Sequence, residues 1–161
     1  PYFLYILSTL SFWILNVSTN KIFLGDSGSY IIGIIIGFMG VELAHKEQNF
    51  SPWFVFFMIL YPATELIISV ARRLIDKKSP FKPDNKHLHT LLFYFLKSKM
   101  HKHNIGSVNT ISGFILVAYG SLPSLYILFF FDQLDTIFLE IFLYILSYGI
   151  LFGVLKRKQI K

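Results

Sequence analysis

No cysteine occurs anywhere in this chain, which excludes a disulfide framework and every thiolate metal site while leaving the compartment undecided. Charge is scarce as well: Asp, Glu, Lys and Arg make up 15% of the residues against 54% hydrophobic ones, and they are confined to short stretches. The runs between those stretches are apolar and aromatic, with 18 Phe and 9 Tyr, and the mean hydropathy is +0.58. Runs this apolar argue against a soluble helical core and predict an all-α, polytopic transmembrane helical bundle. No signal peptide is recognisable, because the chain opens at Pro1 inside an apolar run with no basic leader. The expectation is a single membrane domain over 1–161, the C-terminal part of a longer protein. No internal repeat is visible, which weighs against a transporter built from paired broken helices.

Crossing a hydrocarbon core of roughly 30 Å takes about 20 helical residues. Apolar runs approach that length at 1–16, 29–44, 51–71, 108–131 and 136–155, which predicts about five spans and a large loop at 72–107. Fourteen of the fifteen Lys and Arg residues then fall on one side of the bundle. Lys21 lies in the first loop, nine lie between Arg72 and Lys102, and Lys156, Arg157, Lys158 and Lys161 form the tail; only Lys46 lies opposite. Cations accumulate on the cytoplasmic side of short loops, so the 17–28 and 72–107 loops and the tail are expected in the cytoplasm. The turns at 45–50 and 132–135 are expected outside.

Two cytoplasmic stretches carry chemistry. In Phe23-Leu24-Gly25-Asp26-Ser27-Gly28-Ser29 one carboxylate sits among glycines directly before a predicted helix. Glycine lets backbone approach a ligand, and a helix N-terminus favours phosphate oxygens. An ionised Asp there is a hard oxygen ligand suited to Mg²⁺. The plain alternative is an Asp/Gly turn with Ser27 as helix cap. Gly-Asp-Ser-Gly also surrounds the nucleophile of trypsin-like proteases, but those are soluble β-barrels, and here the motif opens a membrane helix.

The second stretch runs Ser79-Pro80-Phe81-Lys82-Pro83-Asp84-Asn85-Lys86-His87-Leu88-His89. Its prolines stop a helix, and Lys82, Lys86, His87 and His89 supply donors to anionic oxygen. A His-x-His pair can aim both rings at one ligand from extended or turn backbone, whereas residues two apart on a helix diverge. Topology alone would explain the lysines but not the clustered histidines. His101 and His103 repeat the spacing, and a four-His Zn²⁺ site is disfavoured because no cysteine accompanies it.

A third feature lies inside an apolar run. Glu65 follows Tyr61-Pro62-Ala63-Thr64, and an acid within the bilayer costs on the order of 2.5–3.5 kcal/mol, so it needs a partner or a role. Arg72 lies two helical turns on, about 10 Å along the axis on the same stripe.

Together the glycine-flanked Asp26, Arg72-Arg73 and the Ser-Pro-Phe-x-Pro-Asp-x-x-His-Leu-His stretch resemble the polyprenyl-phosphate N-acetylhexosamine-1-phosphate transferases, of glycosyltransferase family 4 type, over about residues 20–95. The resemblance implies transfer of a sugar 1-phosphate from a UDP-N-acetylhexosamine to undecaprenyl phosphate, initiating a cell-envelope polysaccharide such as O-antigen or teichoic acid. It implies a multi-pass protein of the bacterial inner membrane with a cytoplasmic active site, in contact with membrane lipid and without nucleic acid, self-association being open. Asp26 matches the family's magnesium-binding aspartate, Mn²⁺ being an alternative ion, and His87 and His89 match its histidine-rich loop. Gly25, Ser27, Gly28, Arg72, Arg73, Asp84, Asn85 and Lys86 are expected to bind substrate. The chain also departs from the pattern. The family's early acidic pair and its Asn/Asp-rich stretch do not occur in it and are expected upstream of Pro1, and Thr90 and Glu65 stand where many relatives have His and Asp. A non-catalytic scaffold or a transporter segment with a basic loop are the competing classes.

Overall fold

The computed structural model describes residues 2–19, 22, 24–46, 52–77, 79, 86–100, 104–129 and 134–159. Among them the regular structure is helical throughout: α1 (Tyr2–Thr19), α2 (Gly25–Lys46), α3 (Pro52–Ile75), α4 (Leu88–Lys99), α5 (Ile105–Phe129) and α6 (Leu134–Gln159). Gly25–Lys46, Trp53–Ile75, Ile105–Ile127 and Thr136–Lys158 are each long and apolar enough to cross a bilayer. The protein is a polytopic helical membrane protein. Among the described residues four helices reach spanning length and α1 is a shorter apolar helix, in keeping with the bundle of about five apolar runs.

The chain divides into two compact units, Pro1–Glu42 and Leu43–Lys161. In the first, α1 and α2 line an apolar groove between Tyr5, Trp13, Ile32 and Ile36. Helix α2 begins at Gly25, four residues before the predicted start, so Asp26 lies inside its first turn rather than ahead of it. Gly25 makes this early start feasible: its φ of +67° is a left-handed conformation that side chains with a Cβ resist. The Ser29 hydroxyl donates back to the carbonyls of Gly25 and Asp26 at 2.8 and 3.0 Å.

In the second unit α3 packs on α5, and α4 packs on α5 and α6. One buried cluster joins Phe57, Leu60, Ile127, Ile137 and Tyr144; the other joins Leu88, Leu91, Leu92, Leu116, Tyr148 and Leu155. Outward-facing Ile67, Phe138 and Phe142 are more than half exposed, as helices that meet lipid require.

Helix α4 lies within the stretch read as the large loop at 72–107, which therefore carries helical structure of its own. Leu88, Leu91, Leu92, Phe95 and Leu96 recur at i, i+3, i+4, i+7 and i+8, which is one face of an α-helix, and burying that face against α5 and α6 holds the segment helical. At twelve residues, about 18 Å, α4 is too short to span; it packs with Leu116 of α5 and with Tyr148 and Leu155 of α6. Lys158 of α6 stands over the Phe95 ring, its Nζ 4.7 Å from the centroid. Pro62 and Pro123 lie inside α3 and α5, which continue past them.

Candidate functional site

Helix α4 starts directly behind the histidine stretch, and its first turn organises the site. His87 is the N-cap, with extended backbone at φ −77° and ψ 153°, and its side chain makes no capping bond. The first N–H groups of a helix lack intrahelical partners and carry partial positive charge. Here the cap comes from another helix. Leu88 N–H donates to Glu65 Oε1 at 3.1 Å and Oε2 at 3.3 Å.

The same carboxylate gathers two more groups. Its Oε1 lies 3.0 Å from His87 Nδ1, and its Oε2 accepts the Tyr148 hydroxyl of α6 at 2.9 Å. Tyr61 lies beside it on α3. The Glu65 side chain is 13% exposed and that of His87 29%, so the pair sits at the edge of the protein interior with the imidazole on the outer side. An acid that a membrane helix would otherwise tolerate poorly is therefore satisfied on both oxygens.

The partner of Glu65 is not the one its sequence spacing suggested. Arg72, two turns along the same helix, places its guanidinium over the Phe152 ring at 5.1 Å, and Phe152 stacks on Tyr148 at 6.3 Å. The Glu65 and Arg72 stripe of α3 is thus met by the Tyr148 and Phe152 stripe of α6, acid to hydroxyl and cation to ring.

His89 is the third titratable group. It belongs to the first turn of α4 and not to extended backbone, which corrects the expectation for the His-x-His pair. The two rings nonetheless converge, stacked at 5.5 Å and 8° apart, because the first of them leaves from an extended residue. Partial burial lowers the His89 pKa from the usual imidazole range; the adjacent His87 lowers it further, and Glu65 acts in the opposite sense. His89 also lines a groove of about 510 Å³ between α3 and α5, whose walls include Met58, Pro62, Leu116 and Val117. One ring of the polar pair therefore borders an apolar trough.

Of the other predicted site residues, Lys86 is exposed immediately before His87, and Arg72 and Arg73 are half-buried at the end of α3. Asp84 and Asn85 lie outside the described residues, as do Lys82, His101 and His103. Gly25, Asp26, Ser27 and Gly28 belong to the other unit, where Asp26 is exposed in the first turn of α2. A Cβ on Gly28 would come within 2.7 Å of the Leu24 side chain, so the turn before α2 folds tightly onto the motif. Among the described residues no three His, Asp or Glu side chains cluster closely enough to hold a metal between them. One exposed carboxylate still fits Mg²⁺, an ion that keeps several waters and takes one or two carboxylates beside substrate phosphate.

Residues 2–44 match the model of the family described as Glycosyl transferase family 4. The chain is 35% identical over 82 residues to an undecaprenyl-phosphate alpha-N-acetylglucosaminyl 1-phosphate transferase of Thermotoga maritima, covering 51% of this chain and 27% of that protein. Over part of its length this chain is similar to glycosyl transferase family 4 proteins. The proteins of the same name from Pasteurella multocida and Escherichia coli are 32% identical over 96 residues and 34% over 73, covering 56% and 45% of this chain and 27% and 20% of those proteins. The resemblance read from the motifs is borne out. These matches span no more than 27% of each of the three relatives. No solved structure matches the chain. The family match takes in Asp26 and its glycines and ends before α3, so Glu65, Tyr148 and the helical setting of the histidines enter from the geometry of the second unit.

Tyr148 was missed by sequence reasoning. It sits in an apolar run with no polar neighbour to mark it, and only its contact with Glu65 singles it out. Glu65 itself was legible as an acid within a span.

Proposed function

We propose that this chain contributes part of the active site of a membrane transferase that moves N-acetylhexosamine 1-phosphate from a UDP-sugar to undecaprenyl phosphate. The observation that carries this reading is the similarity to three transferases named for that acceptor, joined to a stacked histidine pair held against Glu65 of a membrane-spanning helix. In this reading an oxygen of the lipid phosphate attacks the sugar-bearing phosphorus of the donor. A new phosphoanhydride bond forms, the bond to the UMP oxygen breaks, and UMP leaves with the electron pair.

Such a reaction joins two anions, so catalysis is chiefly charge neutralisation and in-line placement. Asp26 would hold Mg²⁺, which when bound supplies charge to the donor diphosphate. Arg72, Arg73 and Lys86 offer fixed positive charge at the end of α3 and the start of α4. His87 and His89 offer ring nitrogens to phosphate oxygens, with Gly25, Ser27, Gly28, Asp84 and Asn85 completing the substrate contacts. The active site faces the cytoplasm of a bacterial inner membrane, and the product starts a cell-envelope polysaccharide.

The test is UMP release by the purified full-length protein given undecaprenyl phosphate and a panel of UDP-sugars with Mg²⁺. Release that needs both substrates supports the reading; none with any UDP-N-acetylhexosamine overturns it.

A further inference from the structure

We propose that Glu65 is a positioning residue for His87, with Tyr148 fixing the carboxylate that does the positioning. This assignment rests on the transferase reading only in giving His87 a substrate to meet.

The geometry supplies the reasons. An ionised carboxylate accepts hydrogen bonds and donates none, so Glu65 Oε1 at 3.0 Å from Nδ1 calls for the ring proton at that nitrogen. The other nitrogen, Nε2, is then the atom free for chemistry: a lone pair in the neutral ring and a donor in the protonated one. A single hydrogen bond would leave the carboxylate able to swing about its side-chain torsions. Here Leu88 N–H holds both oxygens and the Tyr148 hydroxyl holds Oε2, so three elements fix its plane. The arrangement also occupies the N-terminus of α4 with a protein anion. A phosphate approaching this turn therefore meets imidazole rather than the Leu88 N–H group.

Every element around the imidazole takes part. Glu65 faces it from α3 with Tyr61 beside that carboxylate, His89 stacks on it from α4, and Tyr148 reaches the same carboxylate from α6, near Arg72 of α3. The His89 ring lies nearly parallel to that of His87, 8° apart with centroids at 5.5 Å, and so favours the ring plane that Glu65 selects.

Glu65→Gln, Glu65→Asp, Tyr148→Phe and His87→Asn in the full-length protein test the assignment. Glu65→Gln should lower kcat for UMP release on the order of ten- to a hundredfold, with KM for both substrates within about twofold, as loss of a supporting carboxylate does elsewhere. Tyr148→Phe should cost less, about threefold, and Glu65→Asp should recover most of the rate. In the His87→Asn background the Glu65→Gln change should have little further effect, because the two residues act as one unit. Equal losses with and without His87 would overturn the proposal, as would a Glu65→Gln protein that is folded and fully active. Nitrogen-15 NMR of labelled histidines supplies a readout independent of turnover. His87, assigned by its loss in His87→Asn, should be protonated at Nδ1 in the wild type and should lose that single form in Glu65→Leu. An unaltered tautomer in Glu65→Leu would sink the positioning role even in an active enzyme. Failure of the wild type to release UMP, with the tautomer behaving as expected, would remove the transferase reading and leave the positioning role standing.

Discussion

The Tyr148 hydroxyl donates to Glu65 Oε2 at 2.9 Å, joining residues eighty-three positions apart in the sequence. That bond ties the last helix to α3 at the level where α4 begins, so one carboxylate couples three helices. The carboxylate it holds also accepts from the start of α4 and meets His87, which separates it from an ordinary packing contact.

Asp26→Asn keeps the size of the side chain and removes the charge that binds a hard cation. In the full-length protein it should abolish Mg²⁺-dependent UMP release while leaving α2 intact, since the side chain is exposed. Turnover equal to the wild type across a Mg²⁺ titration would take Asp26 out of the metal role.

His89 gives the second unit a defined response to acid. Burial first, and His87 second, lower its pKa in the folded protein, so the unfolded chain binds a proton more readily than the folded one. Above about pH 6.5 both states are neutral and His89 contributes nothing; as pH falls below that value, unfolding takes up the proton and stability drops. Thermal unfolding in detergent should show a decline on acidification that is shallower in His89→Gln. A variant tracking the wild type at every pH would show that the ring is not the group responsible.

Gly120 of α5 packs against Tyr61 of α3, one helical turn from Glu65. A Cβ added there would lie 3.2 Å from Tyr61 Cβ and 3.3 Å from its Cγ, atoms near the backbone that cannot swing aside. Gly120→Val should therefore destabilise the second unit by about 1–3 kcal/mol through overpacking. Gly113→Val, with open space at that position, serves as the control. Equal unfolding midpoints for the two would show that the helices yield at no cost.

Sidedness can be read from single engineered cysteines, since these 161 residues contribute none of their own and any elsewhere in the full-length protein can be replaced first. Single cysteines at Lys99 and at Gln133 in the full-length protein should be labelled from opposite sides by a membrane-impermeant maleimide, Lys99 from the cytoplasm. Labelling of both from one side would invert or break the topology inferred from the cations.

Most of the architecture was legible in the sequence. Apolar runs of about twenty residues have one stable form in a bilayer, a helix that satisfies its own backbone, so the spans follow from composition. The face of α4 was legible too, in the spacing of Leu88, Leu91, Leu92, Phe95 and Leu96, but its setting among lysines and prolines made the region read as loop. The early start of α2 was harder to see, because it depends on one glycine taking a left-handed conformation at position 25.

By itself the sequence determined that this protein is a helical membrane protein, that Asp26 and the histidines stand out chemically, and that Glu65 needed partners. Only the tertiary structure decided which partners those are. Helical periodicity links residues three, four or seven apart, and so it pointed from Glu65 to Arg72. The groups that satisfy Glu65 come from α4 and α6, where hydrogen-bond geometry depends on how packed helices lie against one another. No local pattern encodes that placement.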